Sequence, residues 1–251
     1  ADHDTLKHVT MTVRPGEKVA IVGENGAGKT TFVKLLMRLY DVTGGKITYG
    51  DINIKDFSVR EYRDMIGAVF QDYQIYGATL AENVLMNHYE EKDENRVKEA
   101  LKMADFWKKL EKLPNGIDTE MTREFSDDGT MLSGGEAQKV AIARMFAKSG
   151  ELAIAILDEP SSALDPRAEY TLNKNMIENA GDAAVIFISH RLSTTRDADR
   201  IYMFQNGEII EEGSHEELMQ LDGEYAKMFE KQAHYYQAHP SGRKLCIKNV
   251  E

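Results

Sequence analysis

The chain alternates between short apolar runs and longer stretches in which apolar positions recur with a helical period. Four runs of five or six residues are almost wholly apolar, as strands are when helices cover both faces of their sheet. These runs are residues 18–22, 66–70, 152–157 and 184–188. Helical segments are predicted at residues 31–37, 59–63, 80–113 and 137–147. Strands that alternate with helices predict an α/β fold with a mostly parallel sheet.

Other patterns predict elements at the edges of that core. Residues 5–13 alternate apolar and polar side chains over their second half, which is typical of a half-buried strand. Asn206 and Gly207 separate two strand-like runs and form a strong hairpin signal. A second hairpin is predicted at residues 46–54, and one closing helix at residues 216–237.

One segment of the long helical region has a clear amphipathic pattern. Its apolar residues fall at i, i+3, i+4 and i+7, and are Val97, Ala100, Leu101 and Ala104. This spacing places them on one face of a helix. The rest of the segment is dense in glutamate and lysine, which favours a solvated surface over a catalytic one.

Composition narrows the choice of partner. The 251 residues carry 31 basic and 42 acidic side chains, a net charge of −11, which argues against nucleic acid as the main partner. A nucleotide site needs only local positive potential, so the net charge leaves it open. No run reaches the roughly 18 apolar residues of a membrane span, and no signal-peptide pattern opens the chain. The single cysteine, Cys246, excludes an intrachain disulfide and fits a reducing, cytosol-facing location.

Residues 23–30 fit G-x-x-x-x-G-K-[ST], the signature of a phosphate-binding loop, and lie between a predicted strand and a predicted helix. Glycines let the backbone wrap around phosphate oxygens, and the first N–H groups of the helix point at the anion. Lys29 is expected to reach the β- and γ-phosphates, and the hydroxyl of Thr30 to bind Mg²⁺. The plainer interpretation is a glycine turn before an ordinary helix. We assign nucleotide binding to Gly23, Glu24, Asn25, Gly26, Ala27, Gly28, Lys29, Thr30 and Thr31.

Two adjacent carboxylates follow the apolar run 152–157. Asp158 comes at the end of that predicted strand, where ligands bind in open α/β sheets, and can hold Mg²⁺ through water. Glu159 comes next and can accept a proton from an attacking water. The alternative is a pair of surface carboxylates at a strand end.

Two further polar motifs are candidates for the site. The loop at residues 132–136 precedes a helical pattern, which Ser133 can cap; the same features would let the helix N-terminus bind a phosphate. His190 follows the strand 184–188 and is expected at the same sheet edge as Glu159, although a lone histidine is usually structural. The candidates in the loop are Ser133, Gly134, Gly135 and Glu136.

These motifs occur in an order, and over nearly the whole chain, that resembles the nucleotide-binding domain of an ATP-binding-cassette (ABC) transporter of the bacterial exporter type. Gln71, residues 162–165 and residues 206–218 also match the family pattern. The resemblance implies a P-loop NTPase core with a mostly parallel sheet, an antiparallel β subdomain and an α-helical signature subdomain at about residues 72–148. It also implies Mg²⁺-dependent hydrolysis of ATP coupled to transport.

The resemblance implies roles for two more residues. Gln71 would lie at the Mg²⁺ and the attacking water, and would link ATP to a membrane domain. His190 would touch the γ-phosphate and orient Glu159 or the water. The expected catalytic residues are Glu159, His190, Gln71 and Lys29, and the expected metal ligands are Thr30, Gln71 and Asp158.

Partners follow from the same resemblance. Two copies of the domain, identical or different, would form a head-to-tail dimer in which Ser133 and Gly135 bind the ATP held by the other copy, and Asp165 contacts that copy. The transmembrane domain of an exporter would be the second partner, at the cytoplasmic face of the membrane. The chain by itself is expected to be soluble and to bind no nucleic acid.

One stretch departs from the family pattern. The family begins with a strand and an adenine-stacking aromatic residue, and residue 1 starts too late to include them, whereas residues 244–251 resemble that strand. We expect residues 1–237 to form the ATPase domain, 238–243 a linker, and 244–251 the displaced first strand of a circularly permuted domain. The alternative is a tail with no place in the fold.

Other functions stay open. A soluble ABC ATPase of DNA repair or chromosome structure would carry long coiled coils between the two phosphate-binding motifs, and residues 29–133 show no sustained heptads. A translation-associated protein would carry two cassettes, and this chain has one phosphate loop. The third alternative is a nucleotide-binding module with little activity, which the joint presence of Lys29, Asp158, Glu159 and His190 disfavours.

Overall fold

A computed structural model describes residues 5–70, 72–124, 129–148, 152–158, 175, 181–188 and 195–238. The strands in these ranges are β1 (Lys18–Gly23), β2 (Thr48–Tyr49), β3 (Ile52–Asn53), β4 (Ile66–Val69), β5 (Ile154–Asp158), β6 (Ala184–Ile188), β7 (Arg200–Gln205) and β8 (Glu208–Gly213). The main sheet has the order β4-β5-β6-β1-β7-β8, and its neighbouring strands are parallel except for β7 with β8. A short antiparallel hairpin, β2 with β3, forms a second sheet. The predicted α/β fold with a mostly parallel sheet is therefore confirmed.

The helices with described bounds are α1 (Lys29–Leu36), α2 (Val59–Asp64), α3 (Leu80–Leu85), α4 (Glu94–Met103), α5 (Trp107–Leu110), α6 (Gly134–Phe146), α7 (His215–Leu221) and α8 (Glu224–Ala238). Short 3₁₀ turns lie at Ile54–Asp56, Glu91–Asp93 and Gly116–Asp118. A Ser or Thr caps each of α2, α3, α6 and α7, and a glutamate three residues later bonds back to the N–H of that cap. These reciprocal bonds satisfy N–H groups that a helix start leaves unpaired, and they determine where the four helices begin.

Both faces of the main sheet are covered. Successive side chains of a strand point to opposite faces. In β1, Ile21 packs in a cluster with Val33 of α1, and Val22 packs in another with Leu218 of α7 and Tyr225 of α8. This double cover explains why the central strands are apolar without alternation.

A third cluster lies among helices α3 to α6 and reaches the sheet. Leu80 of α3, Leu101 of α4 and Ile142 of α6 are completely buried in it. Leu157 of β5 and Phe187 of β6 belong to the same cluster. The helices around the 132–136 loop are thereby packed against the strands of the main sheet.

The predicted closing helix is wrong in one respect, because the structure divides it into α7 and α8. Asp222 adopts a left-handed conformation, with φ 52°, which ends α7. The carboxylate of Glu211 in β8 accepts hydrogen bonds from the backbone N–H groups of Glu224 and Tyr225 at 2.6 and 3.0 Å, and so caps α8. A cap supplied from a distant strand has no local sequence signature.

The strand predicted within residues 5–13 is also wrong. Val9, Met11 and Val13 are half-buried and alternate with exposed residues, as predicted, and they pack against the cluster below α1. Their backbone forms no ladder with any described residue, however, so this segment is not a strand; it bends at residues 5, 6 and 8, and His8 has a φ of 50°. Side-chain alternation indicates which residues face the core, whereas a strand also needs a hydrogen-bonded neighbour.

Several predictions fall outside the described residues. They concern Gln71, Glu159, Asp165, His190, residues 239–243 of the linker and residues 244–251. Ala238, the first residue of the predicted linker, is still part of α8.

Candidate functional site

The candidate site lies at the carboxyl edge of the parallel sheet, where β1 and β5 end. Gly23 ends β1 and opens the phosphate loop, and Asp158 ends β5. Asp158 pairs with Ile188 of β6, which in turn pairs with Ile21 of β1, so these strands end at the same level. Asp158 is therefore two strand spacings, about 10 Å, from β1. The register brings the predicted metal ligand to the side of the sheet that carries the phosphate loop.

The backbone of the phosphate loop requires its glycines. Gly23, Gly26 and Gly28 have φ values of 144°, 82° and 105°, which residues with a Cβ rarely adopt. A Cβ on Gly23 would also lie 2.2 Å from the carbonyl oxygen of Phe204 in β7. The loop therefore depends on a close approach between the ends of β1 and β7 as well as on backbone freedom.

The turn between β7 and β8 supports the loop from outside. The N–H of Gly207 donates to the carbonyl of Ala27 at 3.1 Å, and the N–H of Lys7 donates to the carbonyl of Gly207 at 2.8 Å. Asn206 and Gly207 both have positive φ, 50° and 84°, as expected for the predicted Asn-Gly hairpin. This hairpin turn thus connects the phosphate loop to the segment at residues 5–13.

Lys29 extends its ammonium group over the start of the loop. Its Nζ donates to the carbonyl oxygens of Gly23 and Glu24 at 2.7 and 2.9 Å, and the residue is 7% exposed. A buried cation next to backbone N–H groups at a helix start creates strong local positive potential in an acidic chain. The predicted contact of Lys29 with the β- and γ-phosphates stays a prediction.

Helix α1 has an N-terminus that suits a polyphosphate. Gly28 precedes it in a left-handed conformation, no side chain caps it, and its first turn contains no acidic residue. The capped helices α2, α3, α6 and α7 have a glutamate at that place. Uncapped N–H groups at a helix start favour an anion, so these residues fit the phosphates of ATP. Thr30, which is exposed, and Asp158 offer the oxygen ligands that Mg²⁺ prefers.

The 132–136 loop takes the capping arrangement predicted for it. Ser133 caps α6: its Oγ accepts from the N–H of Glu136 at 3.3 Å, and the N–H of Ser133 donates to the carboxylate of Glu136 at 2.8 Å. The helix begins at Gly134, three residues before the predicted start, because the cap comes directly before the glycines. Partial burial acts to raise the pKa of Glu136, but the N–H of Ser133 and the ammonium of Lys109 outweigh it and hold that pKa below its usual range.

The segment that follows Gln71 is attached to both ends of α6. At the first turn, the hydroxyl of Tyr73 donates to the carbonyl of Gly134 at 2.7 Å. At the last turn, Arg144 donates to the carbonyls of Gln74 and Asn83 at 2.6 and 2.7 Å. Sequence reasoning missed these contacts, because the partners lie 61 or 70 positions apart.

The buried side chain of Asn83 holds the backbone of the same segment through hydrogen bonds. It is 1% exposed, and its side-chain oxygen accepts from the N–H of Tyr76 at 2.9 Å. Its side-chain nitrogen donates to the carbonyls of Tyr76, Ala78 and Thr79 at 3.0, 3.3 and 3.0 Å. An amide among the apolar residues that begin α3 was the one sequence signal that could have identified this network.

We expect Asn83→Ala to lower the free energy of unfolding by roughly 2–4 kcal/mol, because each buried group left without a partner costs about 1–3 kcal/mol. The midpoint of urea denaturation measures the loss. The matched control is Asn95→Ala, which removes an exposed asparagine from α4 and should change stability little. Equal losses in the two variants would contradict the role given to Asn83.

Comparison with known proteins identifies the family. The sequence profile described as "ABC transporter" matches residues 6–162, more than half of the chain. The chain belongs to the ABC transporter family. The match spans the phosphate loop, the 132–136 loop and the carboxylate pair at the end of β5.

The ABC relatives are exporters and transport proteins. The ATP-dependent lipid A-core flippase of Methylobacillus flagellatus is 40% identical over 234 residues, covering 93% of this chain and 39% of the relative. The subtilin transport ATP-binding protein SpaT of Bacillus subtilis is 43% identical over 229 residues, covering 90% and 36%. A bacterial Atm1-family ABC exporter solved with ATP bound superposes with a TM-score of 0.83 at 36% identity, covering 92% of this chain and 39% of that one.

The chain therefore corresponds to the nucleotide-binding part of an ABC exporter. It spans less than two fifths of the length of these three relatives. Within the described ranges, no helix is both long and apolar enough to cross a membrane.

Proposed function

We propose that the chain binds and hydrolyses ATP and drives an exporter through a membrane domain. The observation that carries the proposal is the phosphate loop, which contains the buried ammonium of Lys29 and the uncapped start of α1. The loop follows β1, which ends at the same sheet edge as Asp158 of β5. The exporter relatives favour transport over the DNA-repair, translation and low-activity alternatives.

The proposed mechanism divides the work among residues of one copy. Backbone N–H groups of the loop and the Lys29 ammonium hold the phosphates, so that negative charge is stabilised as the terminal phosphate leaves. Thr30, Gln71 and Asp158 would hold Mg²⁺, which neutralises charge on the phosphate oxygens. Glu159 would take the proton from the attacking water, and His190 would orient Glu159 or that water.

A second copy would complete each site. The first turn of α6, with Ser133, Gly134, Gly135 and Glu136, would contact the γ-phosphate of ATP bound to the other copy, and Asp165 would contact that copy across the interface. Helix N-termini bind phosphate groups readily. Each head-to-tail dimer, of identical or different copies, would thus contain two composite ATP sites.

A groove beside α3 supports the proposal of a membrane-domain partner. Tyr76 and Met86 are 50% and 55% exposed, and together with Ala78 and His88 they line a cavity of about 350 Å³. The groove begins five residues after Gln71. An exposed cavity lined by both apolar and polar side chains at this place suits a protein partner that responds to the ATP site. In the assembled transporter the chain would lie at the cytoplasmic face of the membrane.

The composite site is tested by mixing two inactive variants, Lys29→Ala and Ser133→Arg. Each variant alone should hydrolyse almost no ATP, because both of its sites are defective. A heterodimer of the two would have one site with both defects and one site with neither, so mixing should restore activity.

ATP hydrolysis by the wild-type chain should also rise faster than linearly with protein concentration, since dimers are the active species.

The controls make the mixing result interpretable. Each variant assayed alone, at the total protein concentration of the mixture, should show no recovery of ATP hydrolysis. Dimer formation in the mixture is measured by sedimentation. Heterodimers that form and stay inactive would contradict independent composite sites, and wild-type hydrolysis proportional to concentration at all dilutions would contradict the dimer.

A further inference from the structure

Helix α6 carries a negative charge at the end that would receive a phosphate. Glu136 lies at the third position of the helix, and its Oε2 accepts the hydrogen bond from the N–H of Ser133 at 2.8 Å. This carboxylate is therefore held at the helix start through which α6 would contact the γ-phosphate. Two anions at one helix start repel each other, so the bond that caps the helix opposes the proposed function of its loop.

Lys109 supplies a positive charge at this point. Its Nζ lies 3.0 Å from Oε1 of Glu136, the carboxylate oxygen that does not bond to Ser133. Both side chains are 29% exposed, so bulk water screens the pair only in part. One oxygen of the Glu136 carboxylate thus bonds to the N–H of Ser133, and the other pairs with the ammonium of Lys109.

The position of Lys109 is fixed by the fold. Lys109 lies in α5, a single turn. Phe106, which precedes this turn, and Leu110, which ends it, are 1% and 6% exposed in the cluster shared with α6. The N–H of Lys109 donates to the carbonyl of Phe106 at 3.0 Å. The backbone that carries the ammonium is therefore anchored to the core next to the start of α6.

We propose that Lys109 is a positioning residue that neutralises Glu136, so that the N-terminus of α6 can accept the γ-phosphate of ATP bound to a second copy of this chain. The inference rests on the proposed function. Lys109 acts through Glu136 and does not itself have to contact the nucleotide. It makes the capping bond of Glu136 compatible with an anion at the same helix start.

A neighbouring ion pair provides a matched control. Lys139, one turn further along α6, donates to the carboxylate and the carbonyl of Asp105 at 2.7 and 3.0 Å. This pair also joins α6 to the segment before α5, yet it involves neither Glu136 nor Ser133. Lys139→Met therefore removes a lysine and a helix-to-segment contact and leaves the charge at the start of α6 unchanged.

The experiment titrates Mg²⁺ and the non-hydrolysable analogue adenylyl imidodiphosphate against the full chain and measures dimerisation by sedimentation. Lys109→Met should raise the nucleotide concentration at half-dimerisation about 2- to 5-fold, the range expected for one charge at a helix terminus. Lys139→Met should stay close to wild type. Nucleotide binding to dilute monomer should be unchanged in both variants, since the phosphate loop is intact.

The double variant separates charge compensation from structural support. Glu136→Gln removes the negative charge but keeps a side-chain oxygen that can still accept the hydrogen bond from the N–H of Ser133. Adding Lys109→Met to Glu136→Gln should then have almost no further effect on dimerisation. Equal thermal unfolding midpoints for Lys109→Met and Lys139→Met would confirm that stability does not explain the difference.

The results that would overturn the inference differ from those that would overturn the proposed function. If wild type dimerises with nucleotide and Lys109→Met matches it, the inference alone fails. It also fails if Lys109→Met costs as much in the Glu136→Gln background as in wild type, because the lysine would then act without the carboxylate. If wild type neither dimerises with nucleotide nor hydrolyses ATP, the proposed function fails and the inference fails with it.

Discussion

Glu159→Gln is expected to lower ATP turnover by roughly 10²- to 10⁴-fold while nucleotide binding stays intact, because a general base contributes a factor of that size. Glutamine has nearly the same shape as glutamate, but its amide cannot take a proton from the attacking water. In the sequence, Glu159 directly follows Asp158, and Asp158 ends β5 at the sheet edge that carries the phosphate loop. Binding should persist because Lys29 and the start of α1 are unchanged.

The same variant should also accumulate as a nucleotide-bound dimer, since the closed dimer would open only after hydrolysis. Turnover is measured by phosphate release and dimerisation by sedimentation with Mg²⁺ and ATP. The matched control is Glu99→Gln, which makes the same chemical change at an exposed position of α4 and should leave turnover unaltered. Near-normal turnover in Glu159→Gln would remove Glu159 from the role of base.

The sequence predicts the central sheet well because two local rules act together there. Buried parallel strands must be apolar on both faces, and turn signals delimit them, so β4, β5 and β6 lie close to their predicted positions. The phosphate loop could be predicted for a similar reason. Its glycines, lysine and threonine all fall within eight consecutive residues, so a local sequence pattern is enough to identify the loop.

The parts that sequence reasoning missed depend on contacts between distant segments. Glu211 caps α8 from β8, thirteen positions before Glu224, and this contact divides the helix that apolar periodicity predicts as continuous. Tyr73 and Arg144 connect the segment after Gln71 to α6 across 61 and 70 positions. A polar side chain shows in the sequence which groups it can bond to, but only the fold brings its partner within reach.

The candidate site also contains residues that local motifs identify and one that depends on a contact between distant segments. Gly23, Lys29 and Asp158 could be assigned from motifs, and the structure places them at one sheet edge through the register of β5, β6 and β1. Lys109 could not be assigned, since it lies in a charged helical stretch that reads as a solvated face. Its ion pair with Glu136 exists because α5 packs beside the start of α6.

Gly23→Ala is expected to lower the free energy of unfolding by roughly 2–6 kcal/mol, a large part of the 5–15 kcal/mol that stabilises a typical domain. Two costs add. A backbone conformation with φ 144° is strained for alanine by about 1–3 kcal/mol. The new Cβ would also lie 2.2 Å from the carbonyl oxygen of Phe204, and overpacking of this kind costs about 1–3 kcal/mol.

The clash is hard to relieve because both sides of it are backbone. Gly23 and Phe204 are paired in the ladder between β1 and β7, so relief requires these strands to separate at the start of the phosphate loop. Gly45→Ala is the matched control, since Gly45 has φ 72° and nothing within 4 Å of the added Cβ. This variant introduces the backbone strain without the clash and should cost about 1–2 kcal/mol. Midpoints of urea denaturation compare the two variants, and equal losses would show that β1 and β7 can separate freely at the phosphate loop.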